Sequence, residues 1–283
     1  MGHNPNGAGG SLAAQAREAV RGTLAEANEA AALAWRSPDG RSDRRLLSIV
    51  LVAALCLYLQ HYLVIQGVSG LPAFLFALGA EQTARDLYAA FTEPVDGPFV
   101  RQVFWALGVS VCLFVLPAFA LWLSGARLGD FGLSLGRRSE RWIYVLLLLV
   151  MAPLVLLAAT QPGFQGYYPF YRPPPGEPLW PRFAIFECVY LLQFVAVEFF
   201  FRGFLLHGAR HRFGGFTILL PLIPYMMVHF GKPPAEAAGA VAAGLVLGFL
   251  SLRTGSILYG VVLHAGVALT MDISSLAMQG RMF

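Results

Sequence analysis

The chain has 283 residues, 57% of them hydrophobic and only 13% charged, with a positive mean hydropathy. Soluble domains carry about 25% charged residues, so this composition specifies an all-α, polytopic membrane helical bundle. The formal charge of +4 comes from arginines clustered between apolar runs, and no basic and aromatic stripe exists to follow a phosphate backbone, which excludes nucleic acid as a partner.

In chain order, the first 45 residues form a tail. Met1–Ser11 is rich in Gly and Asn and is expected to be disordered. Leu12–Trp35 is rich in Ala, Glu and Arg, with Gly22 as its weak point, and reads as a helix. It has no apolar core of the kind a cleavable signal peptide needs, and Pro5 with Asn6 spoils a myristoylation match after Gly2. Two roles suit this helix: a docking or membrane-surface element, and a solvated tail, of which the solvated tail is preferred.

Seven apolar runs follow that could span: Leu46–Ile65, Val103–Leu123, Trp142–Thr160, Phe183–Leu206, Phe216–Phe230, Ala237–Leu252 and Ile257–Met271. About 20 residues cross a bilayer, so the last three are short. Leu71–Leu78, interrupted by Pro72, is too brief to cross and reads as an interfacial or re-entrant piece; counting it would make eight spans. This divides the chain into the tail, an N-terminal membrane region over 46–140 and a core over 141–283. Cys56, Cys112 and Cys188 all fall in apolar runs without a CxxC pair, against both a disulfide framework and a cysteine-based zinc site.

Arginines set the orientation. Arg36, Arg41, Arg44 and Arg45 precede the first span, Arg127, Arg137, Arg138 and Arg141 follow the second, Arg210 and Arg212 the fourth, and Arg253 the sixth. The opposite loops hold fewer basic residues, so the N-terminus is expected in the cytoplasm of, most simply, a bacterial inner membrane, and the C-terminus outside. The outer loop 161–182 carries Tyr167, Tyr168 and Tyr171, which read as headgroup-level anchors ahead of a part in admitting substrate.

Ionisable residues within apolar runs carry the functional signal, because a charge in the hydrocarbon core costs about 2.5–3.5 kcal/mol even on lenient scales. They are Glu198 with Arg202 at i, i+4, His229 near Pro221 and Pro224, and His264. Helical rise places Glu198 and His264 level with each other and His229 deeper. Glu187, three turns from Glu198 on nearly the same stripe, is expected at a cavity mouth. Two histidines and a carboxylate suit either a divalent metal such as zinc or metal-free acid–base hydrolysis. The HExxH helix of zincins is absent. Gly244 with Gly248, and Gly260 with Gly266, read as close-packing faces, and Phe199, Phe200 and Phe201 as packing or lipid-facing residues.

Glu198-Phe-Phe-Phe-Arg202, Tyr225-Met-Met-Val-His229 and the late-span His264 resemble the three motifs of the CPBP intramembrane proteases, which include CAAX prenyl endopeptidases, bacteriocin-processing proteins and myxosortases. The resemblance covers roughly Phe183–Met271. It implies an intramembrane endopeptidase cutting near a membrane segment or a C-terminal sorting signal of a membrane-anchored protein, with Glu198, Arg202, His229 and His264 catalytic, no cofactor and a metal-free glutamic mechanism preferred. The family pattern begins Glu-Glu, and Val197 stands at its first position; Ala268 stands where the family has Asn or Asp, with Asp272 one weak substitute. Glu198 would therefore have to be re-aimed by a bulge or rotation to serve as base. A catalytically impaired binding or scaffold protein of the same fold is the alternative, and a proton-coupled transporter is weakened by the lack of an inverted repeat. No feature sets an oligomeric state.

Overall fold

The computed structural model describes residues 12–35 and 41–281, and the expectations for Met1–Ser11 and Arg36 lie outside them. Among the described residues the secondary structure is entirely helical. The helices are α1 Leu12–Trp35, α2 Arg41–Leu59, α3 Gly70–Ala77, α4 Glu81–Thr92, α5 Gly97–Ser110, α6 Leu116–Leu123, α7 Arg141–Ala159, α8 Pro162–Tyr167, α9 Arg182–Glu198, α10 Gly208–Phe213, α11 Leu219–Met227, α12 Pro234–Thr254 and α13 Leu258–Met278.

Among the described residues, six continuous helical runs are long and apolar enough to cross a membrane. One of them, Arg182–Met227, has 46 residues, which at 1.5 Å each would reach about 69 Å, over twice the hydrocarbon thickness. It folds back instead. Gly214 adopts φ +53°, which favours glycine, and the rings of Phe201 and Tyr225 meet at 5.2 Å, where a straight helix would hold them about 36 Å apart. Among the described residues there are thus six candidate spans where seven were expected, because the fourth and fifth form one run whose second arm, ending in the nine-residue α11, is too short to cross. That arm stops at Met227, so His229 sits in the turn beyond α11 rather than inside a helix. The stretch around Leu71 is α3, eight residues long and too short to cross; it packs against α4.

Three spans contain widened π-helical turns: Gln60–Ile65, Val111–Val115 and Phe199–His207. Such turns are rare and gather at functional sites. Here they pack on one another, Phe114 against Phe199 at 4.8 Å, and Gln60, Leu113 and Phe201 from the three turns line one cavity. Phe199, Phe200 and Phe201 are fully buried, which makes them packing residues rather than lipid-facing ones.

Small residues draw α12 and α13 close to their neighbours, as expected. A Cβ on Gly244 would lie 2.7 Å from Leu222, one on Gly248 3.0 Å from Ile218, and one on Gly266 3.2 Å from Leu148. Helix α1 is no solvated tail. It packs on α10 and the turn Gly214–Ile218, where Asn28 Oδ1 accepts the Gly215 N–H at 2.8 Å and Leu24 covers Gly215. Asp43 at the start of the first span pairs with Arg212 in α10, just before the fold-back turn, securing the same end of the bundle.

Candidate active site

Glu198 closes α9, and the widened turn begins at the next residue. Its carboxylate is fully buried, with Oε1 shared between Arg202 at 3.2 Å and His264 Nδ1 at 2.9 Å. Arg202 is 2% exposed and lies over the Tyr225 ring with 4.0 Å between guanidinium carbon and ring centre. Two charges are thus removed from solvent together, each tolerable because the other is present. Oε2 has no hydrogen-bond partner among the described residues and faces Gly260, where a Cβ would lie 3.0 Å from it. Gly260 therefore leaves room for the carboxylate, a role beyond the helix packing expected of it. We expect Gly260→Ala to cost about 1–3 kcal/mol, since the carboxylate is fixed on its other side by Arg202 and His264. Equilibrium unfolding in detergent micelles reads this, and stability equal to the parent's would show that the carboxylate has space to move.

His264 rises from α13, its ring 4.5 Å from that of Phe194. A carboxylate only accepts, so Nδ1–H donates to Glu198 and Nε2 is the nitrogen left open. His229 is fixed in the same way by another acceptor: its Nδ1–H donates to the Tyr225 carbonyl at 2.8 Å. Tyr225 contacts both histidines, with ring centres 4.8 Å from His229 and 6.3 Å from His264, so the second motif holds the first and third together.

Both histidines line a cavity of about 610 Å³ together with Val197, Gln193, Tyr190 and Trp105. Glu198 does not line it; Val197, one residue earlier, does. The structure thus joins Glu198, Arg202 and His264 in one bonded cluster and sets His229 on the same cavity, while the carboxylate stands behind the wall. Ala268 is buried against aromatic residues and does not line the cavity.

Other expected positions resolve differently. Glu187 is buried beside Asp272 and does not line the cavity mouth. Asp272 is fully buried and accepts the Phe170 N–H at 3.2 Å, holding the outer loop rather than replacing Ala268. Glu236 orders that loop as well, accepting from Tyr168 Oη at 2.6 Å and pairing with Lys232 at 2.7 Å. Burial, reinforced by the neighbouring Glu236, raises the Tyr168 hydroxyl above its usual range, so it stays a donor. Tyr167 and Tyr171 line the cavity, which makes the loop its cover and not merely an interfacial anchor.

Sequence reasoning passed over Gln193. Its side chain is buried on α9, lines the cavity and leaves Oε1 without a hydrogen-bond partner among the described residues. An amide within the apolar run Phe183–Leu206 carried the same signal as the ionisable residues, and attention to charge alone hid it. Among the described residues, no three His, Cys, Asp or Glu side chains are grouped as metal ligands.

Comparison with known families agrees with the motif reading. Residues 178–270, about a third of the chain, match the family model described as type II CAAX prenyl endopeptidase, Rce1-like, and that stretch contains Glu198, Arg202, His229 and His264. No curated protein and no solved structure gives a match.

Proposed function

We propose that the protein is an integral-membrane endopeptidase that hydrolyses a peptide bond near the membrane-associated segment of an anchored protein, in the inner membrane of a bacterial cell with its N-terminus in the cytoplasm. The observation that carries this reading is the bonded pair Glu198–His264, which fixes the imidazole so that Nε2 is left for the cavity. Glu198 acts through His264 rather than on water directly. His264 Nε2 removes a proton from water as the oxygen bonds to the scissile carbonyl carbon, and returns that proton to the amine as the carbon–nitrogen bond breaks. His229 Nε2 accepts the water's second hydrogen and orients it. The Gln193 amide donates to the carbonyl oxygen as negative charge develops there. No step calls on a metal ion.

Newly formed protein termini should be mapped across host membranes for the parent, His264→Ala and His229→Ala. Both variants should accumulate one common set of uncut membrane-anchored proteins. Val197 favours a second reading, since an apolar side chain lines the cavity where the related family has a carboxylate. On that reading the fold binds a membrane segment without cutting it, so the parent and both variants would give identical termini while a partner still co-purifies.

A further inference from the structure

A second cavity, of about 570 Å³, lies between the start of the first span and the end of the second. Its rim carries Arg45, Arg127 and Asp130, and its wall is apolar, formed by Ile49, Val52, Leu121 and Phe204. It is separate from the histidine-lined cavity, sharing none of that cavity's lining residues. Arg45 opens the first span and Arg127 follows α6 by a few residues, so both guanidinium groups stand where a spanning helix meets the headgroup layer. Both side chains are exposed, and neither they nor the Asp130 carboxylate has an ion-pair or side-chain hydrogen-bond partner among the described residues. The Arg45 guanidinium is propped over the Phe131 ring at 5.3 Å and lies within the electrostatic reach of Arg210, which is outside the cavity lining, and of Asp130.

We infer that this cavity is a binding site for a phosphatidylethanolamine lipid, its phosphate held between Arg45 and Arg127, its ammonium group at Asp130 and its acyl chains against the wall below. Two cations beside one anion complement a headgroup of one phosphate and one amine, and guanidinium is well suited to phosphate oxygens. A purely anionic headgroup would leave Asp130 facing negative charge. A soluble phosphoethanolamine would gain nothing from Val52, Leu121 and Phe204. Lipid recognition by basic pockets between spanning helices follows the same logic.

The full chain should be released for native mass spectrometry from nanodiscs holding equal amounts of phosphatidylethanolamine and phosphatidylcholine with identical acyl chains. The two lipids have the same net charge, and only the amine of the first donates hydrogen bonds. The parent should retain phosphatidylethanolamine about tenfold over phosphatidylcholine. Asp130→Asn should erase that preference while keeping lipid bound, and Arg45→Gln with Arg127→Gln should lose both lipids. An unchanged unfolding midpoint shows that these surface variants are folded. Equal retention of the two lipids by the parent, parent-like retention by the double arginine variant, or displacement of lipid by equimolar soluble phosphoethanolamine would each overturn the inference.

Discussion

Replacing Glu198 by Gln should slow peptide-bond cleavage about 10³–10⁴-fold with little change in substrate binding. The expected size follows from what a carboxylate does behind an imidazole: it fixes the tautomer and stabilises the imidazolium formed when water is deprotonated. An amide in its place either donates to Nδ1 and places the proton on the cavity nitrogen, or accepts and gives no charge compensation. Both disable His264 Nε2 as a base. The measurement is single-turnover cleavage of a substrate found by terminus mapping, with its affinity determined separately. A loss confined to KM would mean that Glu198 shapes the binding site and that the base lies elsewhere.

Replacing Arg202 by Met should destabilise the protein by about 3–5 kcal/mol, because it leaves Glu198 charged and fully buried with only His264 as partner. Combining Arg202→Met with Glu198→Gln should restore most of that stability, because a buried pair contributes little beyond the cost of breaking it. The test is a double-mutant cycle of reversible unfolding in mild detergent. Additive losses in the cycle would show that Arg202 acts through its contact with Tyr225 and not through Glu198. Catalysis should not return in the double variant, which separates the structural contribution of the pair from its chemical one.

Much of this was readable from the residues, and the reasons differ between elements. Apolar runs without charges have one stable fate, so the spanning helices and the brevity of the stretch at Leu71 followed directly. The intramembrane charges were legible because each costs enough to require a partner, and Glu198 found two. What sequence could not supply was azimuth. Whether Val197 or Glu198 faces the cavity depends on where the helix widens, and periodicity assumes a uniform helix. The fold-back was hidden for a related reason: Gly214 breaks the run through a backbone angle, while hydropathy stays high on both sides. His229 was placed inside a helix because hydropathy stays high through the turn that follows α11. Glu187 and Asp272, far apart in sequence, meet only because α9 and α13 pack together, a tertiary fact without local trace.

The docking of the first helix bears on the order of synthesis. Asn28 and Gly215 are 187 positions apart, so at roughly 5–20 residues per second the helix exists for roughly 10–40 s before its receptor is made. It waits through the synthesis of four spans and can neither nucleate the bundle nor guide its first members. Its contact forms only after the fold-back turn has emerged, as a late latch on an assembly already threaded into the bilayer. A chain stalled before that turn would keep the helix undocked, and exposure of Leu24 and Asn28 would report incomplete assembly.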